Sequence, residues 1–462
     1  MPAECIPPAM QFARLDGRAV VADFGGGVMT SDAGALLLGA TDRAIGLVDR
    51  FAACFSDGRA ASRVVHEVAT LVGQRVFGIA LGYEDLLDHD ALRHDPVLGV
   101  VLGRLEARRA GCAPLAGKST LNRLEHAPQG AHRYRRIGHD GGAIETLFVD
   151  LFLDAHGQAP EQLILDLDAT DDPLHGRQEG RFFHGYYDCY CYLPLYIFCG
   201  DHLLAAKLRR SDIDASAGAS EEVARIVGRI RERWPAVEIV LRADSGFARE
   251  ELIAWCEANG VAYVFGLGRN PRLVERIDAA LAGAERDAGL SGETARRFAD
   301  FSWSTRESWS RERRVVAKAE WMPGRGEDGA NPRFVVTSLG PERIEARSLY
   351  EQFYCARGDM ENRIKECQLD LFADRTSAHT MRANQLRLWF AAMAYVLLAA
   401  LRRIALAHTR LARATCGSIR LKLLKIGAQV RLSTRRIRIA MASGAPHALL
   451  VPGDVAVCRC RE

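Results

Sequence analysis

Four aspartates, Asp166, Asp168, Asp171 and Asp172, crowd the stretch LILDLDATDDPLHG from Leu163 to Gly176. An apolar run carries the first two, so they sit at the end of a core strand. Unpaired carboxylates in an interior are costly, and a bound cation would remove the cost. Strand residues two apart face the same side, so Asp166 and Asp168 point together. Asp171 and Asp172, ahead of Pro173, suit a loop. Asp244, in VLRADSG, ends a second strand-like run and can equally be a plain turn former. In open α/β sheets, ligand sites gather at such strand ends. If the two strands are sheet neighbours, Asp168 and Asp244 converge. Carboxylates are hard oxygen ligands of the kind Mg²⁺ accepts. Two such ions about 3.5–4 Å apart would clamp the attacking and leaving oxygens of a phosphodiester.

A third acid, Glu361, lies downstream in YCARGDMENRIKE. Tyr354, Arg357, Glu361 and Lys365 step by three, four and four, which puts them on one helical face. A phenol, a guanidinium and an ammonium around a carboxylate suit a phosphate backbone beside a metal. The same spacing also describes an intrahelical Arg–Glu–Lys ladder.

The elements that must position these groups change character along the chain. Up to about residue 155 the pattern is helical, as in ASRVVHEVATLVGQRVFGIALG. GCAPLAGKST ends like a phosphate-binding loop, but Cys112 stands where that motif needs glycine. From about 160 the order is three strands (162–168, 182–198, 202–210), a helix (220–234, with Ser220 as N-cap), a strand (237–244), a helix (249–260) and a fifth strand (262–268). Helical crossovers of this kind imply a mixed sheet in an α/β layer. Residues 270–340 read as an insertion with strands, and helix resumes over 346–372 and 381–406. The run Trp389 to Leu401 is too short to span a bilayer and reads as a buried helix. QVRLSTRRIRIAMAS reads as one strand with a cationic face.

The 462 residues carry a net charge of only +3. From Leu401 to Ala440, however, eleven Lys and Arg stand without one Asp or Glu. Such a segment suits a polyanion. The twelve cysteines are scattered without a CxxC pair and read as reduced thiols of a cytosolic protein. Cys189/Cys191 and Cys458/Cys460 are the closest spacings and the sites where zinc could be held. The chain opens without a secretory h-region.

DLDATDDPLHG, HGYYDCYCYLPLYIF, LRADSGF and YCARGDMENRIKE together resemble bacterial insertion-sequence transposases of the DDE class, most of all the thirteen-eighty group, relatives of the hairpin-forming cut-and-paste enzymes. The likeness extends to MTSDAGALLL, GYEDLLDHDALRHDP, AGKSTLNRLE and IRLKLLKIGAQVR, and so covers nearly the whole chain. It implies an α/β fold: a ribonuclease-H-like mixed five-stranded sheet whose first and fourth strands are neighbours, interrupted by a β-rich insertion, with a helical N-terminal region. The implied division is a DNA-binding region over 1–155, core over 156–269, insertion over 270–340, core again over 341–408 and a basic tail over 409–462.

The resemblance carries the catalytic, metal-holding roles to Asp168, Asp244 and Glu361, with Asp166 as alternate for the first. It implies two Mg²⁺, for which Mn²⁺ can substitute. Tyr354, Arg357 and Lys365 would contact DNA, as would Arg420, Lys422 and Lys425 in the tail. The relatives place a lysine seven residues after the glutamate, where this chain has Gln368, and Lys365 comes one turn earlier. Tyr354, or Trp303, Trp309 and Trp321 of the insertion, could hold a displaced base; a strand tryptophan also serves as core. The implied reaction is phosphoryl transfer on double-stranded DNA. Water cleaves the terminal inverted repeats and frees a 3′-OH, which then attacks the opposite strand or target DNA. A homodimer on DNA is implied, and no membrane. Two other readings keep the same residues: a metal-dependent endonuclease without strand transfer, and a catalytically idle DNA-binding descendant of a transposase. A carboxylate-pair glycosidase explains neither the basic tail nor the Tyr–Arg–Glu face.

Overall fold

The computed structural model describes residues 9–133, 135–324 and 329–444. The chain divides into two compact units, Asp140–Ala392 and Met1–His139 with Met393–Glu462.

The larger unit is built on eight strands: β1 (Gln162–Ala169), β2 (Leu195–Cys199), β3 (His202–Lys207), β4 (Glu238–Ala243), β5 (Ala262–Leu267), β6 (Ala295–Trp303), β7 (Arg313–Trp321) and β8 (Arg333–Thr337). They form one mixed sheet in the order β3-β2-β1-β4-β5-β8-β7-β6. β1, β4 and β5 run parallel, and the other pairings are antiparallel. Helices α1 (Ala219–Arg233) and α2 (Glu250–Ala258) lead into β4 and β5, the crossovers that parallel neighbours require. The mixed α/β class is as the sequence implied, and so is the adjacency of β1 and β4. The sheet has eight strands rather than five. Segment 270–340 supplies β6, β7 and β8, and β8 pairs directly with β5, Val336 opposite Phe265. That segment therefore prolongs the sheet, because its apolar strands find an open edge on β5. α1 starts after Gly218, whose left-handed backbone (φ 74°) sharply turns the chain, so Ser220 lies inside the first turn rather than capping it.

Alternation along the strands sorts side chains onto two faces. One face carries Leu163, Leu165, Leu167, Ile239, Leu241 and Ala243 against Val223, Ile226 and Ile230 of α1 and Leu252 and Ile253 of α2. The opposite face carries Val240, Val264, Val316 and Val335 against Leu349 and Tyr350. Asp166, Asp168 and Arg242 share the parity of this second face. The helical run that covers it is not one regular α-helix. π turns at Leu349–Tyr354 and Glu366–Asp370 flank a 3₁₀ turn, Cys355–Arg357, and the α-helix α3, Gly358–Lys365. π turns inside helices are rare and frequent at functional sites.

The smaller unit joins three sequence-distant motifs. Gly34 donates to the Leu424 carbonyl at 3.1 Å, and a β-carbon there would lie 2.1 Å from the Leu423 carbonyl oxygen, so only glycine fits. Asp32, buried, accepts from the Tyr83 hydroxyl at 2.6 Å and pairs with Lys425 at 2.7 Å. Buried Gln74 meets His89 at 3.0 Å, and Arg75 pairs with Glu125 at 2.7 Å. Lys118, in the phosphate-loop look-alike, opens a helix and pairs with Asp90. The basic tail is two strands, Ala428–Ser433 and Arg436–Met441, folded as an antiparallel hairpin rather than one strand. Arg435 and the turn around it reverse the chain where alternation alone suggested continuity. The end of the tail, with Cys458 and Cys460, lies outside the described residues.

The helix containing Trp389 to Leu401 is Met381–Ala405, 25 residues, long and apolar enough to cross a membrane by length and composition. Its bounds are within one residue of those expected for the helix over 381–406. Of its apolar window 83% is buried within the protein, as a core helix requires.

Candidate active site

Asp168 occupies the end of β1, and Asp244 follows the last residue of β4. The ladder pairs Asp166 with Arg242 and Leu167 with Ala243. One step further along the same register sets Asp168 beside Asp244. Asp244 turns out of the strand, accepting from the Gly246 amide at 2.9 Å. Asp168 accepts from its neighbour's amide, Ala169, at 2.9 Å.

The third acid arrives from the helical run. Arg357 donates to Asp168 Oδ2 at 3.3 Å and to Glu361 Oε1 at 2.8 Å, so one guanidinium bridges the strand acid and the helix acid. Burial pushes the Asp168 carboxyl up to about 6. Arg357 pulls it down, while Asp244 and Glu361 push it further up. Burial works against the charge on Arg357, but Asp168, Tyr354, Glu361 and Asp244 around it raise its pKa. Three acids thus act on each other through one cation.

Tyr354 closes the other side. Its hydroxyl stands 2.5 Å from where a β-carbon on Gly266 would be, and the Asp244 carbonyl carbon lies 3.2 Å from the same point. Gly266 in β5 therefore makes room for the phenol beside Asp244. Burial, and then Asp244 among its neighbours, raises the Tyr354 pKa, while Arg357 lowers it. Nothing in the spacing of the acids pointed to Gly266. The available signal was a glycine inside the strand AYVFGLG, where close approach is a usual cause.

Asp166 is engaged elsewhere. Both its oxygens are held by Arg242, at 2.5 and 2.8 Å, in a buried bidentate pair, and Arg242 also donates to the Phe353 carbonyl at 2.5 Å. Gln368 donates to buried Asp172 and to the Asp171 carbonyl, both at 3.0 Å. Lys365 is exposed.

The chain matches the family model described as Transposase DDE domain group 1 over residues 12–454. The chain belongs to this family. No curated protein is similar to it. Among solved structures, it is similar to a cryo-EM piggyBac transposase synaptic complex with hairpin DNA. The two share 10% identity over 79% of this chain and 73% of that chain, with a TM-score of 0.35, a likeness that says nothing about individual residues.

Three carboxylates are the donor chemistry that a hard divalent ion takes. Among the described residues no group of three or more Asp, Glu, His or Cys is gathered closely enough to hold a metal. The position between Asp168 and Glu361 is nevertheless cationic already, filled by Arg357. Asp168, Glu361 and Asp244 have the donor chemistry for a divalent ion, but in this structure Arg357 stands between the first two.

The other residues of the transposase singled out by sequence are placed as follows. Trp309 is buried in the core beneath Arg313, and Trp303 lies under Arg272 with 4.6 Å to its ring centre. Trp321 is half-buried at the end of β7. Within the smaller unit, Lys425 is committed to Asp32 and stands 4.0 Å over the Tyr83 ring. Arg420 donates to the Ala80 carbonyl, and Lys422 is exposed. Sequence reasoning passed over Arg431 and Arg438, which stand directly opposite each other in the tail hairpin, with Arg435 and Arg436 beside them, all exposed.

Proposed function

We propose that this transposase serves a bacterial insertion sequence of the thirteen-eighty group and performs metal-dependent cleavage of the element's ends followed by joining of the freed 3′-OH to target DNA. One observation carries the reading: Asp168 and Asp244 end adjacent parallel strands, and Arg357 ties Glu361 to Asp168. The strand order β3-β2-β1-β4-β5 supports a ribonuclease-H-like core, with β8-β7-β6 as the family's insertion. Asp168, Asp244 and Glu361 would hold two Mg²⁺, or Mn²⁺ in their place. When bound, the ions stabilise charge on the attacking and leaving oxygens of the phosphodiester.

The chain's own residues do the rest by position. Arg357, released from Asp168 and Glu361, is free to donate its planar fork to a DNA phosphate. Tyr354, kept close to Asp244 by the space at Gly266, presents its hydroxyl to the same backbone. Gln368 stands where relatives carry lysine but is engaged by Asp172, so Lys365 is left for the terminal phosphate. Among the described residues the tail hairpin's arginines pair with no acid, and like charges directly opposite are destabilising. A phosphate backbone would relieve them, which supports double-stranded DNA as partner. Two ends cut together imply a homodimer on that DNA, and the reduced cysteines suit a cytosolic setting.

The test is a plasmid carrying the gene with its own flanking DNA, incubated with the full chain, a target plasmid and Mg²⁺. Excised and joined products are expected, and Asp168→Asn, Asp244→Asn or Glu361→Gln should each lower them by at least about a thousandfold. Excision by the Asp244→Asn chain at the normal rate would remove the assignment. Cleavage with no joined product would instead identify an endonuclease.

A further inference from the structure

The C-terminal end of β1 carries a second feature that the reaction does not use. Strand Phe182–His184 pairs with Cys189–Tyr192, and Asp172–Pro173 pairs with the other side of Cys189–Tyr192, making a small separate sheet. Both of its roots reach Asp168. Asp172 lies four residues beyond it, and the strand Cys189–Tyr192 runs on into β2, where Tyr196 pairs with Asp168 itself. The hairpin therefore springs from the candidate catalytic carboxylate.

Its surface is aromatic and uncovered. Phe182 and Phe183 are each 46% exposed, Tyr190 45% and Tyr186 86%. Phe183 and Tyr190 meet edge to face with ring centres 5.5 Å apart, and Arg181 lies 4.7 Å over the Tyr190 ring. Tyr186 and Tyr187 meet at 5.0 Å across the turn. Burial pushes the Tyr187 phenol up to about 12, and the charges of Asp171 and Asp168 add to the effect. A cluster of rings on so small a sheet has no core to enter. Flat rings with a guanidinium over one of them are the chemistry that stacks nucleobases whatever their sequence.

We propose that the hairpin of residues 182–192 is a base-stacking platform that holds unpaired nucleotides of the DNA strand next to the phosphodiester engaged by Asp168. The proposal rests on the DNA-cleaving reading of that site and names a further part of its substrate: single-stranded bases at the cut. Of the insertion tryptophans, Trp309 is buried and Trp303 is capped by Arg272, whereas Phe182, Phe183 and Tyr186 of the hairpin are exposed.

Two readouts test it on the full chain. The first is fluorescence anisotropy of a labelled ten-nucleotide thymidine oligomer, which needs no catalysis. The second is cleavage of the plasmid carrying the gene's flanking DNA. Phe183→Ala and Tyr186→Ala should each weaken oligomer binding roughly tenfold, as loss of one stacked base requires. Phe183→Tyr and Tyr186→Trp should restore it, because any aromatic face serves. Both positions are exposed, and unchanged melting temperatures would show that the fold survives. Normal cleavage and normal oligomer binding by both alanine variants would overturn the platform and leave the catalytic reading intact. Lost oligomer binding in a protein whose wild-type form cuts no DNA would do the reverse. A shift of the alanine variants from dimer to monomer, with oligomer binding unchanged, would make the face a contact between copies and also overturn the proposal.

Discussion

The Tyr354 hydroxyl stands 2.5 Å from the point where a β-carbon on Gly266 would sit. The two residues come from the helical run and from β5, and their contact places the phenol beside Asp244. A methyl group at this position would force the phenol or the Asp244–Ser245 backbone to move. Gly266→Ala is expected to lower the cleavage rate at least tenfold and to cost about 1–3 kcal/mol of stability, as overpacking usually does. Melting curves and single-turnover cleavage would measure both, and a fully active Gly266→Ala chain would show that the phenol has room to spare.

Arg357 competes with a cation for Asp168 and Glu361. Arg357→Gln is expected to raise affinity for Mn²⁺ in the absence of DNA by roughly tenfold or more, the worth of one charge-assisted hydrogen bond, while cleavage falls. Electron paramagnetic resonance titration with Mn²⁺ reads the first effect directly. Weaker Mn²⁺ binding in the variant would mean that Arg357 organises the acids rather than occupying their centre.

Asp172 is fully buried, accepts from Gln368, and has one oxygen without a partner. Burial pushes its carboxyl up to about 8. The unfolded chain gives up this proton near pH 4, while the folded chain keeps it to about 8. Wild-type stability should therefore fall as pH rises across that window, by up to about 1.4 kcal/mol per unit. Asp172→Asn accepts the same hydrogen bond and removes the slope, so its advantage should grow from pH 4 to pH 8. A melting-temperature difference that stays flat over this range would contradict the assignment.

Arg431 and Arg438 face each other in the tail hairpin, and among the described residues no acid pairs with either. Replacing both with Gln should weaken DNA binding uniformly across sequences and reduce the slope of log affinity against log salt by about 2. Stability should hold or rise slightly, since a like-charge pair is lost. An unchanged slope would place the DNA elsewhere.

Much of the larger unit was legible because its strands and helices have clean periods. The β–α order from 160 to 268 appears as the residues suggested, except that 182–198, read as one strand, is a hairpin of a separate small sheet followed by β2. The i, i+4 spacing of Arg357 and Glu361 became a real contact at 2.8 Å. What one sequence does not contain is register. Asp166 and Asp168 do share a face, yet only the pairing of β1 with β4 sets Arg242 opposite the first and leaves the second for Arg357. The eight-stranded width was hidden for the same reason: nothing local says which edge a strand will join. The resemblance gave Lys425 as a DNA contact, and nothing local pointed to its ion pair with Asp32, hundreds of residues away in sequence. The π turns around α3 were invisible to a 3.6-residue period.

The ionic tie from Asp166 through Arg242 to the Phe353 carbonyl has its own consequence. Apolar packing between a sheet and a helix tolerates sliding, because one methyl group fits nearly as well as the next. A forked, directional contact does not, and leaving either charge alone in the interior would cost about 3–5 kcal/mol. The helical run is thereby indexed to β1 and β4 just ahead of Arg357 and Glu361. Depth of Glu361 over the strand ends becomes a property of the folded chain itself, set before any ion or nucleic acid arrives.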